Sequence, residues 1–348
     1  MRRALFIGGT GTISTAIVRR LTAEYTDWEV YVLNRGNRSG ALPEGVHRIT
    51  ADINDEEKVR EELDKLPFRV FDTVCEWIGF VPEQVERDFR LFRGRTRQYM
   101  YTSSASAYHK PPRSCRITEG TALANPYWEY SRNKIACEEF LMKQYRETGF
   151  PVTIIRPSHT YDDRSIPVGV HGKQGPWQVI RRMMEEKPVI IPGDGSSLWT
   201  VTFHTDFAVG YTGLMGNPHA IGEAFQITGE ETLTWNQVHE EIAAAAGVPL
   251  HAVHVSSEFL SLAGDRKYGY DFNGSLIGDK AVSVLFDNSK LKRVVPEMCT
   301  RVPFAQGVRI ALKNILEHPE LQREDPEFDV FTESVLAARE AALEALNR

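Results

Sequence analysis

Leu5-Phe6-Ile7-Gly8-Gly9-Thr10-Gly11-Thr12-Ile13-Ser14 decides the fold of this chain: a short apolar run enters a glycine turn and leaves it as the start of an apolar helix. Gly8 and Gly11 stand three residues apart, as a tight strand-to-helix turn requires. Their missing side chains let backbone N–H groups and the positive helix end approach a pyrophosphate, with Thr12 and Ile13 in the first helical turn. The third position of the fingerprint is Ser14 rather than glycine. Taken alone the pattern also fits an ordinary turn, so the residues downstream of Ser14 have to decide between the two.

Ala16, Ile17, Val18 and Leu21 recur at helical spacing, and Glu29-Val30-Tyr31-Val32-Leu33 reads as a buried strand, so the two strands pair in parallel across a right-handed crossover. The alternation continues with strands at 46–49, 71–75, 98–101 and 152–155 and helices at 55–66, 82–92 and 130–148. This is an α/β chain: a Rossmann-type doubly wound parallel sheet with a smaller C-terminal substrate-binding lobe. The dinucleotide-binding domain is expected over 1–165 with a returning segment near 200–228. The lobe takes up most of 166–348, with helices at 175–186, 234–246 and, after the acidic turn Glu324-Asp325-Pro326-Glu327, 334–346.

The composition of the 348 residues, 42% hydrophobic and 25% charged, is that of a soluble globular protein with a large core. A net charge of −6 leaves no overall basic footprint for nucleic acid or an anionic membrane surface. No apolar run approaches the roughly 20 residues of a membrane span. Cys75, Cys115, Cys137 and Cys299 lack metal-ligand spacing and the N-terminus lacks a signal-peptide pattern, so reduced thiols, a cytoplasmic location and no metal are expected.

Of the 12 tyrosines only Tyr130 has a lysine four residues on, Lys134, which puts phenol and ammonium on one helix face. A free phenol ionises near pH 10, and a neighbouring cation favours the phenolate, so Lys134 is expected to make Tyr130 a usable acid or base. Upstream, Tyr101-Thr102-Ser103-Ser104-Ala105-Ser106 ends a predicted parallel strand, where side chains face the cofactor crevice. A hydroxyl there can hold a carbonyl or alcohol oxygen while the phenol moves its proton. Ser103 and Ser104 both fit.

At this point the chain resembles the short-chain dehydrogenase/reductase superfamily, in its extended or atypical branch of NAD-dependent epimerase/dehydratases. The motifs run in order: glycine turn, serine at the fifth strand, Tyr130-x-x-x-Lys134, then Ile155-Arg156-Pro157-Ser158-His159-Thr160-Tyr161, Pro192-Gly193-Asp194-Gly195 and His204-Thr205-Asp206-Phe207-Ala208. The resemblance covers roughly residues 1–245. It implies Ser104, Tyr130 and Lys134 as the catalytic trio, with Tyr130 as acid/base, Lys134 also a ribose ligand and Ser104 holding the substrate oxygen. It places Pro157 beside the cofactor and Asp52 and Ile53 at the adenine edge, where capping by Asn54 or Asp55 is the structural alternative. Tyr108 stands where the family has a tyrosine after the serine, for substrate contact or packing. The helices that hold Phe89 and Phe92, and Cys137 and Leu141, are candidates to pair across a two-fold axis into a homodimer, as in relatives.

The second strand ends Leu33-Asn34-Arg35-Gly36-Asn37-Arg38, with no carboxylate where one would bond the ribose of NAD. Arg35, with Arg38, suits a 2′-phosphate, so the cofactor is NADP or NAD with NADP favoured. Two departures mark the chain. Glu76 and Trp77 replace a small apolar pair after the fourth strand, to cap the sheet or, for Glu76, to face the ribose or substrate. Trp199 stands where nucleotide-sugar enzymes of the family place a diphosphate-binding arginine. A tryptophan stacks on a sugar face or an aromatic ring instead, so Trp199 and His159 are expected to contact a small substrate, carbohydrate-like (an unactivated glycoside or free sugar) or another small carbonyl compound, at least as readily as a nucleotide sugar. The expectation is an NAD(P)-dependent oxidoreductase or epimerase acting by hydride transfer on a secondary alcohol or ketone. The alternatives are an NAD-retaining nucleotide-sugar epimerase or dehydratase, and a non-catalytic dinucleotide-sensing or RNA-binding member, since Asn34-Arg35-Gly36 is similar to the chloroplast stem-loop-binding relatives.

Overall fold

A computed structural model of the chain describes residues 1–36 and 42–347. Seven parallel strands form the central sheet: β1 Arg2–Ile7, β2 Trp28–Asn34, β3 His47–Thr50, β4 Thr73–Glu76, β5 Tyr99–Thr102, β6 Val152–Pro157 and β7 Ala224–Ile227. Their order across the sheet is β7-β6-β5-β4-β1-β2-β3. Succession therefore reverses between β1 and β4, and it is outside the strand ends at such a switch point that doubly wound sheets bind ligands. In register, Ile7 pairs with Leu33 on one side and Glu76 on the other, so the glycine turn leaves the sheet at that crevice.

Period-two alternation in β1 supplies both faces. Ala4 and Phe6 pack under helix α1 (Thr12–Glu24), while Leu5 and Ile7 face the layer of α2 (Glu56–Asp64), α3 (Pro82–Phe92) and α4 (Glu129–Thr148). Burial on both faces explains why these strands read as continuous apolar runs. Phe92, Cys137 and Leu141 are wholly buried in this second layer, and Phe89 packs its edge on Phe140 and Phe150. Phe92, Cys137 and Leu141 thus face their own sheet.

Helices His204–Leu214 and Ser289–Val294 share the apolar cluster of α1, and the remaining α-helices surround a third cluster that includes Trp177, Trp235, Phe304 and Phe328. The last helix spans Pro326–Leu346, eight residues longer at its start than the spacing suggested. The acidic turn is in fact its cap: Asp325 accepts the Phe328 N–H at 3.0 Å and Pro326 occupies the first turn, where its missing N–H costs nothing. No described helix is long and apolar enough to cross a membrane.

Candidate active site

A cleft of about 570 Å³ opens along the carboxyl ends of β1, β2 and β3, and its walls include Gly8, Gly11, Asn34, Arg35, Asp52 and Ile53. Gly8 has φ +86°, and a Cβ there would stand 2.8 Å from Ile78 Cγ2. Ser14 shows why the turn dispenses with a third glycine. Its hydroxyl accepts the Gly11 N–H at 3.0 Å and donates to Gly8 O at 3.0 Å, bolting the loop to α1. The first turn of α1 carries no acidic residue, so its amides face the cleft uncontested. Thr12 and Ile13 lie in that turn but do not line the cleft.

Asn34 turns its Oδ1 back to the Gly36 N–H at 2.9 Å, leaving the exposed Arg35 as the charged side chain at the end of β2; Arg38 lies outside the described residues. Asp52 uses Oδ1 to accept from the backbone and side chain of Asn54, and Asp55 is the residue that caps α2. A backbone cradle without competing carboxylates, opening on a cavity of this size, fits a dinucleotide.

A second cavity of about 230 Å³ has Ser104, Trp128, Tyr130, His159, Trp199 and Asp279 on its wall. Pro157 lines this cavity rather than the dinucleotide cleft. The structure separates the two serines: Ser104 faces the cavity, while Ser103 is buried with its Oγ unpartnered. Ser131 on α4 donates to Ser106 Oγ at 2.7 Å, and Ser106 Oγ lies 2.9 Å from Ser104 Oγ. With the Ser106 N–H also directed at Ser104 Oγ, Ser104 is held in a hydroxyl chain that runs from Ser131 through Ser106.

Lys134 sits between the two cavities. Its Nζ donates to Gly79 O and Thr102 O, both at 2.7 Å, lies 4.9 Å from the ring of Phe80 on the cleft wall, and stands 5.8 Å from the ring centre of Tyr130. One of its three donors is left. The electrostatics differ from the simple expectation of a lysine that lowers its tyrosine. Burial pushes the Tyr130 phenol up, against a hydrogen bond from Ser104 and with the Asp279 carboxylate adding to the rise. Burial also pushes Lys134 down to about 8. The ammonium is spent on two carbonyls, and desolvation outweighs it at the phenol.

Tyr108 is packing, not cavity wall: it is buried, its hydroxyl donates to Gln226 Oε1 at 3.0 Å, and the Arg156 guanidinium lies 4.9 Å from its ring centre. Glu76 lines neither cavity. Its Oε1 accepts the Ile78 N–H at 2.5 Å, so of its two readings the capping one describes its position, and burial together with Asp88 holds its carboxyl well above the usual range. Trp77 packs on Tyr211 with ring centres 4.8 Å apart.

Sequence reasoning missed Asp279 and Arg87. Arg87 lines the dinucleotide cleft, donates to Asn54 Oδ1 at 2.7 Å and pairs with Asp88, but as one charged residue in a polar helix it carries no signal. Asp279 lies on a π-helical segment, Asn273–Lys280, 175 positions beyond Ser104, and no spacing rule reaches it. Asn125 brings it in, donating to Ser106 O at 2.9 Å and Gly278 O at 2.8 Å.

Residues 4–228 match the model of the NAD dependent epimerase/dehydratase family. The uncharacterized UDP-glucose epimerase YtcB of Bacillus subtilis is 28% identical over 134 residues, 38% of this chain and 40% of that protein. The chloroplast stem-loop binding protein of 41 kDa b of Arabidopsis thaliana is 24% identical over 256 residues, 71% of this chain and 64% of that protein. The chain thus spans less than two thirds of the length of either relative. In fold it is similar to the UDP-glucose 4-epimerase of Thermus thermophilus, whose structure is a complex with NAD: the TM-score is 0.69 at 20% identity, covering 91% of this chain and 99% of that one. With most of its length matched, and with a glycine-turn cradle beside a serine, tyrosine and lysine, the chain belongs to the NAD dependent epimerase/dehydratase family.

Proposed function

We propose that this chain is an NAD(P)-dependent oxidoreductase or epimerase that acts by hydride transfer on a secondary alcohol or ketone of a sugar-like substrate. The observation that carries the reading is the meeting of Ser104 and Tyr130 on one small cavity, with Lys134 between it and the dinucleotide cleft. A bound nicotinamide dinucleotide supplies the hydride acceptor and donor. Tyr130, raised by burial, holds its proton at neutral pH and is set to give it to a developing alkoxide, or to take it back in the reverse direction. Ser104 donates to the same substrate oxygen, its hydroxyl oriented by Ser106 and Ser131. Lys134 keeps a donor for a ribose hydroxyl and fixes the end of β5 through Thr102 O.

Arg35 and the missing carboxylate at the end of β2 favour NADP over the NAD of the family description. A second reading, an epimerase that retains NAD and acts on a nucleotide sugar, is favoured by the likeness to YtcB. The two differ in whether nicotinamide absorbance changes stoichiometrically during turnover. For both, Tyr130→Phe should keep dinucleotide affinity while kcat falls by about 10²–10⁴, the contribution of a positioned acid or base. Full activity in that variant overturns the assignment.

A further inference from the structure

We infer that Asp279 is a substrate-binding and specificity-determining residue, selecting a neutral, polyhydroxylated ligand of monosaccharide size and rejecting nucleoside diphosphate sugars. The inference rests on the proposed sugar-like chemistry of this cavity and narrows it.

Four observations converge on it. First, the cavity wall carries no lysine or arginine among the described residues, and its one carboxylate is Asp279. The histidine on the wall does not substitute for a cation, because burial, with the nearby Lys280 charge, pushes His159 down to about 3. A diphosphate entering this cavity loses its hydration and meets no positive partner, an arrangement that selects against it.

Second, the cation paired with Asp279 is already committed. Lys110 Nζ lies 3.3 Å from Asp279 Oδ1 and 4.7 Å from the ring centre of Trp199, and its side chain is only 1% exposed. The contact is an ion pair without hydrogen-bond geometry, and neither Lys110 Nζ nor Asp279 Oδ1 has a hydrogen-bond partner among the described residues. A buried pair so poorly satisfied is weak as a stabilising device. It has a clear use in the wall of a cavity, where it neutralises the pocket and leaves Asp279 Oδ2, which no described protein donor bonds, to accept hydroxyl hydrogens.

Third, Asp279 is held in place from both sides. Asn125 ties Gly278 O to Ser106 O, and the carbonyl of the residue after Asp279, Lys280 O, accepts from Trp235 Nε1 at 3.1 Å and Ser197 Oγ at 2.9 Å. The carboxylate therefore has a fixed station on the cavity wall, its segment tied to the serine turn through Asn125. Fourth, Trp128 and Trp199 supply flat apolar walls, and the buried Trp199 Nε1–H has no acceptor among the described residues. Aromatic faces, one donor and one acceptor are the recognition set for a ring with C–H faces and hydroxyl edges. The volume, about 230 Å³, lies below the roughly 300–1,000 Å³ of pockets for larger ligands.

The test measures binding rather than turnover, so that it stands apart from the role of Tyr130. Tyr130→Phe protein saturated with dinucleotide is titrated by saturation-transfer NMR with free hexoses, their methyl glycosides, UDP-glucose and glucuronate. At least one neutral hexose or methyl glycoside should bind, and UDP-glucose should bind at least 10-fold more weakly. Adding Asp279→Asn should weaken the neutral ligand by about 10- to 100-fold, the worth of a hydrogen bond to a charged group, and strengthen glucuronate by releasing Lys110. Circular dichroism checks the fold of that variant; if it does not fold, the comparison of neutral sugars with UDP-glucose on intact Asp279 decides alone. Tighter binding of UDP-glucose, no binding by any neutral sugar, or an unchanged neutral ligand in folded Asp279→Asn overturns the inference. Full activity of Tyr130→Phe would instead overturn the hydride-transfer reading and leave the binding preference standing.

Discussion

Glu138 tests the architecture that aims the site. It lies on α4 at four and eight residues beyond Lys134 and Tyr130, on the same helix face, and grips Arg156 of β6 with two bonds, Arg156 Nε to Oε1 at 3.0 Å and Nη2 to Oε2 at 2.6 Å. The side chains are 3% and 6% exposed, which removes the pair from the class of surface ion pairs worth about 0–1 kcal/mol. Glu138→Ala leaves the guanidinium buried with only Glu119 O, at 3.3 Å, and the Tyr108 face for company. Breaking a buried pair by removing one partner costs about 3–5 kcal/mol. At about 2 °C per kcal/mol, the lower end for large domains, the midpoint should fall by about 6–10 °C. Urea titration followed by circular dichroism, alongside calorimetry, gives the free energy directly. The control is Glu138→Leu with Arg156→Met, which removes both charges and should cost less than the single change, because no orphaned guanidinium remains. A single-variant cost under about 1 kcal/mol, or a double variant worse than the single, refutes the claim that this pair is buried and mutually dependent.

Two further outcomes are expected at the site. Lys134 is pushed down to about 8 by burial, so it is an ammonium below that pH and a neutral amine above it. The efficiency kcat/KM should therefore fall as pH rises through about 8, and Lys134→Arg, which keeps its charge, should shift that limb beyond pH 10; a limb that stays in place assigns it to another group. Gly8→Ala should lower dinucleotide affinity and cost about 1–3 kcal/mol of stability, since its φ of +86° disfavours a side chain and the new Cβ meets Ile78. Thermal unfolding with and without dinucleotide measures both effects, and a variant unchanged in both shows that the turn does not depend on a glycine there.

The sheet was legible because its rules are local. β1 alternates between two buried faces, and a glycine turn followed by an apolar helix has few structural meanings, so order and direction came from residues close in sequence. Ser104, Tyr130 and Lys134 meet for the same reason: one sits at a strand end and two share a helix face. What escaped the sequence is what depends on burial and on distant partners. The four-residue spacing placed Lys134 near Tyr130 but was silent on Gly79 O and Thr102 O, which absorb the ammonium, and on the desolvation that raises the phenol. Tyr108 looked like a site residue because it comes after the serine turn, whereas Gln226 on β7, 118 residues away, takes its hydroxyl.

Asp279 carries the same argument furthest. Its effect on Tyr130 has the sign opposite to that expected of Lys134: a carboxylate close enough to raise the phenol favours the protonated, donating form. The cavity thus combines a proton donor, an acceptor for hydroxyl hydrogens and a neutralised wall, while the adjoining cleft offers backbone amides and Arg35. Among the described residues the wall of the cleft carries Arg35 and Arg87, and the wall of the cavity carries no lysine or arginine. On the inferred binding preference, anion recognition falls to the dinucleotide cleft and the substrate is recognised by its hydroxyls and its shape.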